Sequence, residues 1–167
     1  MINQIFGNIF ENKQLADDFK MHKQDHNYKR LVLQRFEMEK ARLRKKTDDG
    51  TDVGISLEHG RMLQSGDVAI MGETKILIEQ KPEKVITVKI KDLTKNHQVP
   101  VILGHIVGNR HRPIAFGNDD SISFPIQHEA ELDLFKSLFR DIISKIELVV
   151  EEKVFQPHKT MDVHEHG

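Results

Sequence analysis

A polar, proline-bearing break at Lys81-Pro82-Glu83 interrupts the apolar patterns on either side of it, and this limits the chain to two small cores instead of one large one. Domains of about 50 to 200 residues are usual. The 167 residues here, 38% hydrophobic and only 6% aromatic, fill two thin cores more readily than one thick core. With no tryptophan, those cores must rest on Val, Ile, Leu, Met and nine Phe. The expected organisation is an amino-terminal domain over residues 1–80, a second domain over 84–156 and a tail over 157–167.

The first half reads as a small all-β domain. Short apolar pieces (Ile5, Phe6, Ile9, Phe10) precede a polar stretch, Lys20 to Lys29, that is expected as a loop. Leu31-Val32-Leu33 and Phe36 to Leu43 have the texture of strands. Asp49-Gly50 supplies the positive-φ pair of a tight hairpin, and Val53-Gly54-Ile55-Ser56-Leu57 returns with side chains 53, 55 and 57 on one face. Gly60, Gly66-Asp67 and Gly72 punctuate further short strands at Val68 to Met71 and Lys75 to Glu79.

The second half mixes the helical and strand periods. Val85 to Ile90 alternates as a strand, and a helix is predicted from the Thr94–Val99 region to Val107, with Pro100 tolerated in its first turn. Ile114 to Phe116 and Ser121 to Ile126 bracket the turn signal Gly117-Asn118-Asp119-Asp120. Over Glu129 to Lys145, residues Phe135, Leu138, Phe139, Ile142 and Ile143 recur at helical spacing and define one apolar face. Ile146 to Phe155 supplies a last strand. The order βαββαβ reads as a ferredoxin-like sandwich. The expected fold class is therefore α+β: an all-β domain, a ferredoxin-like domain and a flexible histidine-containing tail, because His158 to Gly167 cannot bury enough surface to offset the entropy of ordering.

Composition excludes several function classes. Twenty-five basic residues against 26 acidic ones leave a net charge of −1, without the one-signed field of a general nucleic-acid or membrane-surface binder. Arg42, Arg44, Lys45 and Lys46 are followed by Asp48, Asp49 and Asp52, and read as a solvated hairpin strand. The absence of cysteine removes disulfides, thiolate metal sites and thiol nucleophiles. Met1 to Phe6 lacks the character of a secretory signal, and no stretch approaches the ~18 apolar residues of a membrane helix, so a cytoplasmic location is expected. The zinc-protease helix, the nucleophile elbow and the phosphate loop are all missing. Gly72-Glu73-Thr74-Lys75 lacks the loop's first glycine, and Asp48 to Asp52 lacks the spacing of a calcium loop.

Any transition-metal chemistry must then use imidazole and carboxylate. Gly108-Asn109-Arg110-His111-Arg112-Pro113 sets one imidazole at a glycine-loosened turn just after the predicted helix, and the chain closes on His158, His164 and His166. Imidazole nitrogen suits nickel, copper and zinc, and its ordinary pKa of about 6.5 leaves much of it neutral near pH 7. One imidazole is a poor site for an ion that wants several donors. Residues near a two-fold axis meet their own copies, so a dimer could bring two His111 rings to one ion. His164-Glu165-His166 is a compact donor cluster. His128 opens the strong helix and is a further candidate only through the family resemblance given next, while His22 and His26 lie in the polar stretch and His59, His97 and His105 carry weaker signals.

That hexapeptide, with Arg42-Leu43-Arg44 through Asp48-Asp49-Gly50 to Val53-Gly54-Ile55, then Gly60 to Leu63 and Gly66-Asp67-Val68, resembles the urease accessory metallochaperones of the UreE family. The resemblance implies a non-enzymatic carrier of Ni2+ whose principal metal-binding residue is His111, in a homodimer joined through the second domains. It also implies a ferredoxin-like second domain, a protein-binding first domain, and as partners apo-urease and urease accessory proteins including a GTPase. Nickel comes from the resemblance, since Zn2+ and Cu2+ suit the same nitrogen donors. Two other readings compete: an assembly scaffold without metal delivery, and a metal-dependent hydrolase using His111 with Glu129 and Glu131.

Overall fold

The computed structural model describes residues 1–2, 4–58 and 61–158. The chain divides into two compact units, Met1–Lys81 and Pro82–Gly167, each with its own apolar core. The first unit contains β1 (Ile5–Asn8), α1 (Lys13–Met21), β2 (Tyr28–Leu33), α2 (Arg35–Met38), β3 (Arg42–Lys46), β4 (Asp52–Ser56), β5 (Asp67–Met71) and β6 (Thr74–Gln80). Its main sheet runs β1-β5-β6-β2, with β2 parallel to β6, and β3 pairs with β4 as a separate hairpin.

Period-two alternation decides which side chains meet. Leu31 and Leu33 of β2, Ala69 of β5 and Ile76 and Ile78 of β6 share one core with Val53, Ile55 and Leu57 of the hairpin arm. On the opposite face, Val68 and Leu77 pack against Leu15 of α1. Burying a Val, Leu or Ile side chain stabilises by about 1.5 to 3 kcal/mol, so these clusters are what hold so small a unit together.

The first unit is β-rich and not all-β. Residues 13–21 form a helix because the Asn12 side chain accepts the Leu15 N–H at 3.1 Å and caps its first turn. The strand expected from Phe36 to Leu43 begins instead as the short helix α2. Gln34 and Glu37 form a capping box there, with the Gln34 N–H donating to Glu37 Oε2 at 2.8 Å, and Phe36 is left exposed. The β3–β4 hairpin does not close through a two-residue turn either. Its loop spans 47–51, with Gly50 alone at positive φ (+86°), and the Asp49 carboxylate accepts the Thr47 hydroxyl and the Thr51 N–H. A side chain that satisfies the loop from within removes the need for a left-handed pair.

The second unit contains β7 (Glu83–Ile90), α3 (Val99–Gly108), β8 (Ala115–Phe116), β9 (Ser121–Pro125), α4 (Ala130–Leu138), a 3-10 segment (Arg140–Lys145) and β10 (Ile146–Lys153). The sheet order is β10-β7-β9-β8, antiparallel throughout. Ile86, Val88 and Ile90 point to one face, where they share a core with Val99, Leu103 and Val107 of α3 and with Phe124, Phe135 and Phe139. The Phe124 and Phe135 ring centroids lie 4.6 Å apart. The other face carries Thr87 and Ser123, whose hydroxyls are 2.8 Å apart.

The helix expected over Glu129–Lys145 breaks at Phe139. Ahead of it is α4, and beyond it the chain tightens to 3-10 geometry, with the Ile142 N–H donating to the Phe139 carbonyl at 2.9 Å. Three residues per turn align positions three apart. Phe139 and Ile142 therefore stay in the core while Ile143 turns outward, 42% exposed. Residues His164 and His166, and the tail from residue 159 onward, lie outside the described residues, as does His59.

A candidate metal centre at the end of α3

The glycine-loosened turn that follows α3 has a defined geometry. Proline in its first turn starts the helix, and Val99, Leu103 and Val107 bury one stripe. At its far end the His111 N–H donates to the Gly108 carbonyl at 2.9 Å and the Arg112 N–H to the Val107 carbonyl at 3.4 Å. These two bonds are the five-to-two and six-to-one closures of a Schellman motif, which needs a left-handed residue just past the helix. That residue is ordinarily glycine. Here it is His111, at φ +51°.

A side chain with a Cβ is disfavoured in this conformation by about 1 kcal/mol or more. Asn, Asp and His tolerate it better than most residues, yet glycine would serve the fold without strain. The backbone lifts the imidazole clear of the helix and leaves it exposed. A side chain held where glycine would be more stable marks His111 as a candidate functional position.

Asn109 and Arg112, which flank His111, are engaged with other side chains. Asn109 approaches His105 one turn back, Nδ2 to Nε2 at 3.0 Å. Arg112 donates from Nη2 to Glu131 Oε2 at 2.6 Å, and the Glu131 N–H donates to the His128 carbonyl at 3.0 Å. The start of α4, with the exposed His128, is thereby tied to the residue that follows His111. Arg112 Nε is buried without a partner among the described residues. Sequence reading missed the Arg112–Glu131 pair, which no local spacing signals, whereas the His105–Asn109 contact was available from its i, i+4 separation.

Both carboxylates that a hydrolase at this position would need are engaged elsewhere. Glu131 is held by Arg112, and Glu129 pairs with Lys84, whose ammonium keeps the Glu129 carboxyl below the usual range. Among the described residues, no three His, Asp or Glu side chains converge as a metal site within one chain. His158 is exposed, with its N–H donating to the Ile114 carbonyl at 2.8 Å and its ring edge-on to Phe116 at 5.1 Å. His22 ends α1, stacked on Tyr28 at 5.0 Å, His26 is exposed in the first unit, and His97 is exposed just ahead of α3, at the end opposite His111.

The first unit is similar to a known domain family. Residues 2–79 match the family model described as the UreE urease accessory protein, N-terminal domain. The match extends beyond that unit in full-length relatives. The urease accessory protein UreE of Streptococcus thermophilus is 29% identical over 137 residues, covering 81% of this chain and 85% of the relative. The protein of that name in Edwardsiella ictaluri is 29% identical over 119 residues, 66% of this chain, and the chain spans about half (51%) of that relative's length. The Yersinia bercovieri protein of the same name is 33% identical over 89 residues, 48% of this chain and 39% of the relative. The first unit thus matches the UreE N-terminal domain, and relatives from several species named urease accessory protein UreE carry the similarity beyond it.

Proposed function

We propose that this chain is a metallochaperone that binds Ni2+ as cargo and delivers it for assembly of the urease metallocentre. The observation that carries the reading is the left-handed His111 at the end of α3, an exposed imidazole at a position where the fold alone would favour glycine. It works as a homodimer in which the two copies of His111 grip one ion, because a single imidazole supplies too few donors. His164, His166 and His158 of the tail collect ions for that site, and His128 is an accessory ligand at its margin. Zn2+ and Cu2+ compete for the same nitrogens.

The outer face of α3 supports the dimer. Val101, Gly104, His105 and Gly108 fall on one side at helical spacing. Val101 is 74% exposed, Ile102 is 39% exposed, and neither glycine has an atom within 4 Å of where its Cβ would stand. A smooth apolar helix face invites close packing against a second helix, and the copy from a partner chain fits it. The second unit is read as a ferredoxin-like domain, a reading supported by its βαββαβ order and its β10-β7-β9-β8 sheet.

The domain assignments that follow are a protein-binding domain over 1–80, a metal-binding and dimerisation domain over 84–156, and a ligand-bearing tail over 157–167. Apo-urease and an accessory GTPase are the recipients, in the cytoplasm, and the protein catalyses no reaction of its own. Among the described residues no helix is long and apolar enough to cross a membrane. Titrating the protein with Ni2+ tests the proposal: His111→Ala should abolish tight binding at one ion per dimer. Undiminished tight binding in that variant would refute it.

A further inference from the structure

Two consecutive residues of the α3 turn bear costs that the fold itself does not require. His111 carries a Cβ in the left-handed region, at φ +51°. Arg112 then sends its guanidinium to a partly buried place, 22% exposed, where it meets the 16% exposed Glu131 of α4. Nη2 donates to Glu131 Oε2 at 2.6 Å, while Nε is buried without a partner among the described residues. A buried donor left unsatisfied is destabilising, and an arginine turned out to water would avoid that loss.

The two ends of this pair differ in how firmly they are held. The closing bonds from the His111 and Arg112 N–H groups run back to Gly108 and Val107, within the helix that the turn ends. Pro113 restricts the Arg112 backbone to extended conformations. Glu131 is fixed more thoroughly: its Oε1 accepts the Gln127 N–H at 3.3 Å, and its own N–H donates to the His128 carbonyl at 3.0 Å. Its helix is seated in the core by Phe135, 1% exposed. The ion pair therefore fastens a strained turn to a rigid element distant in sequence.

We infer that Arg112 is a positioning residue for the ion site proposed above: through Glu131 it holds the turn in the conformation that presents the His111 imidazole. The role rests on the metal-carrier reading. A partly exposed ion pair shifts a local equilibrium by about threefold. Because a Cβ is disfavoured at His111, the presenting turn and its relaxed alternatives lie close in population, and the fraction able to bind falls when the pair is lost. Two protomers share the ion, so their fractions multiply and affinity drops by about two- to ninefold. The contact is single-ended, through Nη2, so lysine can serve here as it cannot at a forked site.

Calorimetric titration of the full-length protein with Ni2+ alone, and amide hydrogen exchange of the metal-free protein, test this role. Arg112→Met/Glu131→Gln removes both charges at nearly constant volume, leaves no freed carboxylate to turn to the ion and keeps an acceptor for the Gln127 N–H. The role is supported if this double variant binds Ni2+ about two- to ninefold more weakly, if Arg112→Lys binds as the natural protein does, and if the His111 and Arg112 amides exchange about threefold faster in the double variant while those of Leu103 and Val107 do not. Unchanged affinity and exchange in the double variant overturn it and leave the carrier reading standing. It is also overturned by weaker binding with unaltered exchange at the turn, by faster exchange along all of α3, or by a loss in Arg112→Lys equal to that of the double variant. In those cases the pair acts through its charge on the ion, through the whole fold, or not at all. Full binding by His111→Ala removes the carrier reading and the positioning role together.

Discussion

Replacing His111 by glycine should make the metal-free protein more stable while removing the proposed nickel site. His111 occupies the left-handed position of the α3 closure at φ +51°. A Cβ in that conformation costs about 1 to 2 kcal/mol, and glycine, which avoids this, loses about 0.5 to 1 kcal/mol through its greater freedom in the unfolded chain. The net gain lies between about 0 and 1.5 kcal/mol, and its midpoint of about 0.75 kcal/mol corresponds, for a unit the size of Pro82–Gly167, to a rise in Tm of about 3 to 6 °C. Both hydrogen bonds of the closure come from backbone N–H groups and survive the change.

Differential scanning calorimetry in the presence of a chelator, at one fixed protein concentration so that dimerisation does not shift the midpoint, reads this directly. The expected order of stability is His111→Gly above the natural protein, with His111→Ala no higher than the natural protein because it keeps the Cβ and loses the ring. Both variants should fail to bind Ni2+ tightly. If His111→Gly melts below the natural protein, the imidazole contributes packing that outweighs backbone strain, and the argument that it is kept for ligation loses its footing.

Other outcomes follow from the same structure. Val101→Asp, on the exposed apolar side of α3, should convert the proposed dimer to monomers by sedimentation velocity and lower Ni2+ affinity at least tenfold, about 1.4 kcal/mol; a dimer of unchanged affinity would remove α3 from the interface. Lys29, Thr47 and Thr51 hold the Asp49 carboxyl far below its ordinary value, so its stabilising contribution is complete above the unfolded pKa of about 3.9 and fades as pH falls through the lower folded value. Asp49→Asn should therefore flatten the acid limb of the stability curve below about pH 4, and an unchanged slope in acid unfolding would dismiss that role. Phe124→Ala, which empties the ring cluster with Phe135 and Phe139, should destabilise the second unit by about 3 to 5 kcal/mol in urea denaturation. A loss below about 1 kcal/mol would mean the cluster repacks.

Much of this molecule was legible because local chemistry and burial agree. Val53, Ile55 and Leu57 alternate in sequence and are buried together, and the turn at Gly117–Asp120 joins the strands it was expected to join. The misreadings fall where a side chain outvotes the pattern. Gln34 and Glu37 cap a helix inside a stretch whose apolar spacing looked like a strand, and Asp49 stabilises a wider loop than Asp-Gly ordinarily makes. The 3-10 tightening after Phe139 keeps the apolar residues of the predicted helix in register with the core, so periodicity had no means of revealing the break. At the site, the Gly-Asn-Arg-His run pointed to His111, but its left-handed backbone depends on the helix closing behind it. Arg112 finding Glu131 is a product of tertiary packing between distant segments that no spacing rule encodes.

The most direct check on a cation shared between two chains is anomalous X-ray scattering at the nickel edge from crystals grown with Ni2+. A single strong peak on a two-fold axis, within bonding distance of His111 Nε2 or Nδ1 from both protomers (about 2.1 Å, by analogy with other imidazole–metal bonds), is the expected image. Nickel held only by residues of one protomer, with the two His111 rings turned away from each other, would dismantle the proposed mechanism at its base.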